Sequence, residues 1–436
     1  MMEVSTRADG RAALDARPEL ERRTFTKIAW RLLPLLTVSY LLDYMDRNNV
    51  GFAALSMNRA VGLTATEFGT GAGILFLGYC FFELPSNLAL HRFGTRAWIA
   101  RIMITWGLVS AATIFVVGPK SWYLLRFLLG VAEAGFYPGI VFYISTWFPA
   151  EYRTRMLVWF LLAIPVSTVV GAPISGMLLG MDGVAGLAGW KWLFIVEGLP
   201  VVFLGIAVLW LLSDRPEEAR WLSSEEKVVV RERISSEKRE GEVQRLWPAL
   251  KDVRVLILSV VQFGFTTGSY GVGIWLPQII KTSRLSNFRV GMVTGVSYGI
   301  ACVGMMIWAA HVDRTGRKIR NLTIGCLVST VGLVFAILSA HFWISLAWIT
   351  VSLIGINAAR AIFWTIPPRF LTGIASAGGL AFINSVGTVG GFVGPALMGW
   401  LKDRTNSFSA GLLAMAGFLL LAAALSWSLK FVVANE

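Results

Sequence analysis

The chain has 436 residues, of which 56% are hydrophobic and only 15% are charged, and its mean hydropathy is +0.65. Soluble domains carry about 25% charged residues, so this composition excludes an ordinary soluble enzyme. The net charge of +13 does not indicate nucleic-acid binding, because the basic residues are spread over short loops and form no separate basic domain. An excess of Lys and Arg in the cytoplasmic loops of a membrane protein explains them better.

Twelve apolar runs, each long enough to cross a bilayer as a helix, follow one another along the chain. They occupy residues 28–50, 66–90, 98–117, 121–147, 156–180, 190–213, 255–280, 290–311, 322–340, 342–367, 376–401 and 410–433. The pattern predicts an all-α integral membrane protein with two six-helix halves. Both termini are expected in the cytoplasm, because that orientation leaves most Lys and Arg residues on the cytoplasmic side.

The predicted organisation has four parts along the chain. A cytoplasmic N-terminal tail (1–27) precedes the first half (28–213), and a charged cytoplasmic linker (214–253) joins it to the second half (254–433). The opposite charges within the linker predict a solvated segment that is partly helical.

The two halves share sequence features at matching positions, which indicates an internal repeat. Gly171 and Gly176 in the fifth run are spaced like Gly394 and Gly399 in the eleventh run. Two six-helix halves related by a repeat are typical of transporters, in which the substrate binds near the middle of the membrane between the halves. The two glycine-rich runs are therefore candidate hinges.

The basic turns after the second and eighth runs are candidate gating elements. They can pair with acidic residues on the cytoplasmic face in one conformation and release them in another. The residues concerned are Arg92, Arg96, Asp313, Arg314 and Arg317. Glu83, near the end of the second run, is a candidate partner, although it could instead be a static cap on a helix end.

The first run ends in a polar stretch, residues 40–49, that places two carboxylates and a guanidinium where hydrocarbon is expected. A charge at the centre of a membrane helix costs roughly 2.5–3.5 kcal/mol on insertion scales, so Asp43, Asp46 and Arg47 should be paired or line a wet cavity. At 3.6 residues per turn, Tyr44 and Arg47 share a helix face. We interpret this turn as the floor of a substrate pathway.

The fourth run carries Arg126, Gly130, Glu133 and Tyr137 at positions i, i+4, i+7 and i+11, which predicts that they share one helix face. Ions inside the membrane usually face cavities and mark the route of an ion or a substrate. The alternative is that Arg126 and Glu133 only neutralise other charges and hold helices together. On the first interpretation the site contains two cations and two titratable acids.

The remaining runs also contain polar residues at positions expected in the hydrocarbon layer. Arg360 in the tenth run either contacts the substrate, snorkels to the interface or forms an internal salt bridge. Trp364 precedes a proline pair that breaks the helix, and it forms either a cavity wall or ordinary aromatic packing. Candidate ligands for substrate hydroxyls, each of which can instead make an interhelical hydrogen bond, are Tyr79, Gln262, Thr266, Thr267, Tyr270, Asn384 and Ser385.

The sequence contains no motif for a metal or an organic cofactor. Cys80, Cys302 and Cys326 lie inside apolar runs without metal-ligand spacing. Neither a phosphate-binding Walker loop nor a nucleophile elbow occurs, which argues against ATP-driven transport and against catalysis.

The sequence resembles the bacterial anion:cation symporters of the major facilitator superfamily, and more distantly the vesicular glutamate and sialic-acid transporters. The matching stretches are 44–47, 78–79, 83–87, 92–96, 126–139, 189–194, 197–200 and 383–395. The resemblance implies proton-coupled import of an organic anion, such as tartrate, a sugar acid or an aromatic acid, across the bacterial inner membrane. The proton is then the coupling ion, the bilayer is the other partner, and a monomer is the default for this fold.

The resemblance also implies roles for individual residues. Asp46 and Glu133 match the proton carriers, Arg47 matches the anchor of the substrate carboxylate, and Arg126 matches the partner that tunes Glu133. The residues that match substrate ligands are Tyr44, Tyr79 and Asn384.

Two positions depart from the pattern of that family. Asp43 is an acid where a neutral residue is expected, which leaves open which carboxylate carries the proton. Arg360 is a cation where a small or apolar residue is expected. A second cation would favour a dicarboxylate over a monocarboxylate as the substrate.

Two other functions remain open from the sequence. An exporter or an anion exchanger would use the same fold, because alternating access runs in either direction. A nutrient sensor that signals through the linker without transport is the alternative from a different class.

Overall fold

The structure of the protein is a computed structural model that describes residues 2–237, 251–371 and 373–431. In these residues every regular element is a helix, and the α-helices are joined by short loops and 3₁₀ turns. Residues 1, 238–250 and 432–433, which belong to the predicted tail, linker and twelfth run, lie outside the described residues. The predicted all-α fold is confirmed.

Eight helices form the first half and a ninth lies in the linker. Their bounds are α1 Met2–Val61, α2 Ala65–Phe93, α3 Thr95–Ala112, α4 Pro119–Glu133, α5 Phe136–Trp147, α6 Ala150–Leu161, α7 Ala163–Leu178, α8 Gly189–Leu211 and α9 Ser224–Glu237. The second half contains α10 Val253–Lys281, α11 Asn287–Thr315, α12 Lys318–Leu338, α13 Phe342–Phe363, α14 Gly373–Thr405 and α15 Ser409–Ser428.

The helices provide twelve segments within the described residues that are long and apolar enough to cross a membrane. This confirms the predicted number. Several helices extend beyond the predicted runs; α1, for example, continues to Val61 although its apolar run ends at residue 50. Hydropathy detects only the part of a helix that matches the hydrocarbon layer, so it misses such extensions. The orientation of the termini and the boundaries of the four parts stay predictions.

The fourth segment is broken in the middle, contrary to the prediction of one continuous helix. Helix α4 ends at Glu133, Gly135 has φ +85°, and α5 begins at Phe136. A left-handed backbone favours glycine, so the break is local to this residue. Arg126 and Glu133 therefore share α4, but Tyr137 belongs to a second helix and the predicted single face does not extend to it.

The two halves pack against each other along two closely approaching helix pairs. A Cβ atom added at Gly69 in α2 would collide with the carbonyl oxygen of Pro395 in α14. One added at Gly291 in α11 would collide with the carbonyl oxygen of Ala172 in α7. Helices α7 and α14 carry the repeated glycine motif, so each copy of the repeat forms an equivalent contact with the opposite half.

An acidic residue of the second half caps a helix of the first half. Asp403, near the end of α14, accepts hydrogen bonds from the backbone N–H groups of Ala65 (3.1 Å) and Thr66 (2.7 Å), and from the Thr66 hydroxyl (2.6 Å). The first N–H groups of a helix have no partner inside the helix, and its N-terminus favours negative charge. Asp403 therefore fastens the halves together at the predicted extracellular end.

The described part of the linker packs against the first half. In α9, Glu226 pairs with Lys27 of α1 at 2.9 Å, and Arg233 pairs with Glu21 at 2.8 Å. These contacts hold α9 beside residues 21–27 of α1.

Candidate functional site

A buried ion cluster joins α1 to α4 in the middle of the first half. Arg47 donates through Nε to Glu133 Oε2 at 2.9 Å and through Nη2 to Asp43 Oδ1 at 3.2 Å. Both carboxylates are completely buried. The Arg47 guanidinium also lies 5.4 Å from the ring centre of Tyr44 and 5.2 Å from that of Tyr79. Two acids thus share one cation, through the Nε and Nη2 groups of Arg47.

Asp46 belongs to a separate cluster on another side of α1. Its Oδ1 accepts hydrogen bonds from the Ser110 hydroxyl and from Asn49 Nδ2, and its Oδ2 accepts one from Trp106 Nε1 at 3.1 Å. The carboxyl group is buried and all of these donors are neutral. Asp46 is therefore held without a direct salt bridge.

Arg126 lies in the interior of α4 with only 1% of its surface exposed. Within the described part of the chain its Nε and Nη1 atoms have no hydrogen-bond partner, and its guanidinium lies 5.5 Å from the ring centre of Trp122. It interacts electrostatically with both Asp46 and Glu133. The direct bond to Glu133, however, comes from Arg47, so Arg126 acts on Glu133 only at longer range.

A small cavity of about 30 Å³ lies between the two halves, next to the Arg47 cluster. The first half contributes Tyr44, Asn48, Ile164, Pro165 and Thr168; the second half contributes Ser269, Tyr270, Gly273, Tyr298, Leu353, Asn357 and Arg360. A water molecule needs roughly 10–15 Å³ on this measure, so the cavity has room for water but not for an organic acid. The helices must therefore move apart before a substrate can bind.

Arg47 does not line this cavity, whereas Arg360 does. Tyr44 and Asn48, the helical neighbours of Arg47, line the cavity from the first half. Arg360 reaches the cavity from α13 and donates through Nη2 to the Ser269 hydroxyl at 2.6 Å. The side chain thus points between the two halves.

Three of the other predicted site residues meet where α2 approaches α10 and α14. Asn384 donates to Glu83 Oε1 at 3.4 Å, and Gln262 Nε2 lies 3.5 Å from Asn384 Oδ1. Glu83 thus contacts the opposite half through an amide, and not through the basic turns that we considered as its partners. A transient contact with those turns in another conformation stays a prediction.

Two predicted aromatic ligands lie away from the cavity. The Tyr137 ring stacks on Tyr40 with centroids 5.8 Å apart, inside the first half. Trp364 follows the end of α13, is 36% exposed and contacts Phe363 edge to face. The roles of Tyr137 as a substrate ligand and of Trp364 as a cavity wall stay predictions.

The basic turns make their described contacts within their own halves or with the start of the linker. The backbone N–H of Arg96 donates to Asp214 Oδ1 at 2.8 Å, and Arg92 lies over the ring of Phe93. In the second half, the carbonyl of Arg317 accepts a 2.7 Å hydrogen bond from Asn321, and the side chains of Asp313 and Arg314 are exposed. Their gating role stays a prediction.

The sequence interpretation assigned no role to a fourth buried acid, Glu197 in α8. Its Oε1 accepts a 2.7 Å hydrogen bond from Ser175, and its Oε2 has no partner among the described residues. The sequence does contain a signal for Glu197, because an acidic residue inside an apolar run is costly to bury. Ser269, Tyr298 and Asn357 were also missed, because a single hydroxyl or amide in a membrane helix gives no clue to the direction it faces.

The geometry and the family comparison agree on the class of protein. The family model described as Major Facilitator Superfamily matches residues 36–395. The chain belongs to the Major Facilitator Superfamily. The inward-open structure of the xylose transporter XylE from E. coli has the same fold, with a TM-score of 0.76, 15% identity, and coverage of 94% of this chain and 97% of that one.

Two curated relatives align with this superfamily member over nearly their whole lengths. A protein of Agrobacterium vitis named "Putative tartrate transporter" is 47% identical over 94% of this chain and 91% of its own. A "Quinolone resistance transporter" of Acinetobacter baumannii is 40% identical over 90% of this chain and 92% of its own. The protein is accordingly a multi-pass membrane transporter of this superfamily and not an enzyme.

Proposed function

We propose that the protein imports an organic anion together with protons across the bacterial inner membrane. The observation that carries the proposal is the buried Arg47–Glu133 pair beside the cavity between the halves. The name of the Agrobacterium vitis relative supports a hydroxylated carboxylate such as tartrate as the substrate class.

The Arg47–Glu133 pair provides a physical link between the proton and the anion. Protonation of Glu133 removes its charge and weakens its bond to Arg47, which is then available for a substrate carboxylate. A guanidinium binds a carboxylate through two parallel hydrogen bonds, so the substrate replaces the acid group with similar geometry. By thermodynamic reciprocity, a bound anion favours protonation of Glu133 as much as the proton favours anion binding.

Asp46 is the second proton site in this proposal. It lies one residue before Arg47 but in its own cluster with Ser110, Asn49 and Trp106, and it interacts electrostatically with Arg126. Because its hydrogen-bond donors are neutral, Asp46 can change charge without breaking a salt bridge. Opening the contacts between α2 and α14, and between α7 and α11, would then expose the site to the other side of the membrane.

Uptake into proteoliposomes tests the proposal. Radiolabelled tartrate, galactonate and phthalate are offered at an external pH one or two units below the internal pH. We expect at least one of them to accumulate above its external concentration, and a protonophore to abolish the accumulation. Equal final levels with and without the pH gradient for every anion would contradict proton-coupled import.

Export is the second candidate function, favoured by the name of the Acinetobacter baumannii relative. The same vesicles, loaded with a fluorescent quinolone and given a pH gradient of either sign, distinguish the two. Gradient-driven quinolone efflux without anion uptake would select the exporter. Anion uptake without quinolone movement would select the importer.

A further inference from the structure

The cavity between the halves contains a cation, Arg360, with no acidic partner in the described part of the chain. Among those residues its hydrogen bond goes to the neutral Ser269 hydroxyl, and no carboxylate lies within 4.0 Å of it. Arg47, by contrast, is shared by two carboxylates. Intramembrane cations are normally paired or serve a substrate pathway, so an uncompensated guanidinium in a cavity wall favours an anionic ligand.

The direction of the Arg360 side chain supports this role. Side chains of an α-helix tilt toward its N-terminus, and α13 runs from Phe342 to Phe363. A side chain near the end of this helix therefore points back toward its middle. Its bond to Ser269, which lies near the centre of α10, shows that the guanidinium follows this direction and does not reach for the nearby interface.

The cavity wall around Arg360 carries neutral hydrogen-bonding groups. Tyr298 and Asn357 line the same space, and Tyr270 interacts electrostatically with both Arg360 and Arg47. Tyr44, whose ring centre lies 5.4 Å from the Arg47 guanidinium, lines this space from the first half, so both cations lie close to it. Hydroxyl and amide groups beside two guanidinium groups are suited to a short chain that carries hydroxyls and has a carboxylate at each end.

We propose that Arg360 is a second carboxylate anchor, which makes the substrate a hydroxylated dicarboxylate held across the two halves. This inference rests on the proposed function. One carboxylate replaces Glu133 at Arg47, and the other binds the Arg360 guanidinium, from which no internal acid must be displaced. The dicarboxylate therefore links the second half to the proton site of the first.

The test compares two ligands that differ in one group. Purified protein at mildly acidic pH is titrated with tartrate and with its monoamide, which keeps both hydroxyls but has only one carboxylate. We expect the wild type to bind tartrate at least tenfold more tightly. Arg360→Gln should lose at least tenfold in affinity for tartrate and change less than twofold for the monoamide, and Arg360→Lys should restore part of the loss.

Arg289→Gln is the matched control, because Arg289 is an exposed arginine at the start of α11. It should leave both affinities unchanged. An equal loss for both ligands in Arg360→Gln, or no loss for either, would overturn the second anchor. Proton-driven uptake of galactonate without tartrate binding would overturn the dicarboxylate and leave the proposed function intact. Absence of binding and uptake for all these acids would overturn both.

Discussion

Arg47 and Glu133 are 86 residues apart in the sequence, yet Arg47 Nε donates a 2.9 Å hydrogen bond to Glu133 Oε2 in the buried interior of the first half. Arg47, which is suited to bind an anion, and Glu133, which is suited to carry a proton, are therefore the two partners of one hydrogen bond. Asp43 shares the cation from one helical turn away. Competition for Arg47 is the simplest physical basis for coupling in this protein.

The first prediction concerns the two proposed proton carriers. Asp46→Asn and Glu133→Gln keep the size of each side chain but remove its charge change. We expect both variants to lose accumulation of the anion against its gradient. Exchange of internal unlabelled for external labelled anion should continue, since it needs no net proton movement. Counterflow and gradient-driven uptake in proteoliposomes measure the two activities.

Glu218→Gln serves as the control for these variants, because Glu218 is an exposed acid in the described part of the linker. It should behave like the wild type in both assays. Accumulation that persists in both Asp46→Asn and Glu133→Gln would refute the proton assignment.

The second prediction concerns the stability of the ion cluster. Arg47→Ala leaves Glu133 and Asp43 buried without their cation, and breaking a buried pair in this way costs roughly 3–5 kcal/mol. Adding Glu133→Gln to Arg47→Ala should recover part of the loss, because the amide carries no uncompensated charge. Thermal unfolding in detergent at neutral pH compares the wild type, the two single variants and the double variant.

Additive destabilisation in the double variant would argue against this account. If the two residues contribute independently, Glu133→Gln should lower the melting temperature equally in the wild-type and Arg47→Ala backgrounds. The direct 2.9 Å contact predicts strong coupling between the two substitutions instead.

The third prediction concerns the cap that Asp403 places on α2 across the halves. Loss of a helix cap costs roughly 0.5–2 kcal/mol, and exposed Asp403, which supplements the N-cap Thr64, belongs at the low end of that range. Asp403→Ala should therefore raise the population of conformations that are open at this end by a few-fold. Asp403→Asn should raise it less. Electron-paramagnetic distances between spin labels at positions 59 and 409, in a cysteine-free background, report the separation of the halves.

Arg404→Ala is the control that tests whether any substitution near this end of α14 has the same effect. Arg404 is the adjacent exposed residue and lies over Trp400 within its own helix. Its distance distribution should match that of the parent protein. An unchanged distribution in Asp403→Ala would show that the cap does not hold the halves together.

The fourth prediction is a pH dependence of the linker contact. Burial alone would raise the pKa of Glu226, but the hydrogen bonds from Lys27 and Ser223 outweigh it and hold the pKa below its usual range. A lowered pKa in the folded state means that the contact stabilises α9 above the unfolded-state pKa, and that this stability is lost as the pH falls through the folded value. The pair is partly exposed, so its contribution is roughly 0.2–1 kcal/mol.

Hydrogen exchange of α9, corrected for the intrinsic effect of pH, measures this contact. We expect protection to fall by up to about fivefold between pH 7 and pH 3. Glu226→Gln should show the lower protection at both values. A wild-type profile that does not change with pH would remove Glu226 from the docking of the linker.

Much of the architecture could be predicted from the sequence because the cost of burying polar groups in a bilayer is local. Twelve apolar runs, the repeated glycine motif and the charged turn at 40–49 each depend on a single stretch of chain. Arg126 and Glu133 stood out for the same reason. The break at Gly135 did not, because its neighbours are apolar and continue the helical pattern on both sides.

The sequence by itself determined which ions lie in the membrane, and only the tertiary structure decided which groups they meet. Helical spacing relates residues four or seven positions apart, so it could pair Arg126 with Glu133 on α4. It has no information about α1 packing beside α4, which brings Arg47 to Glu133 and leaves Arg126 with electrostatic contacts only. The direction of Arg360 and the meeting of Asp403 with Ala65 also depend on how helices approach one another, which is set by side-chain packing between segments far apart in the chain.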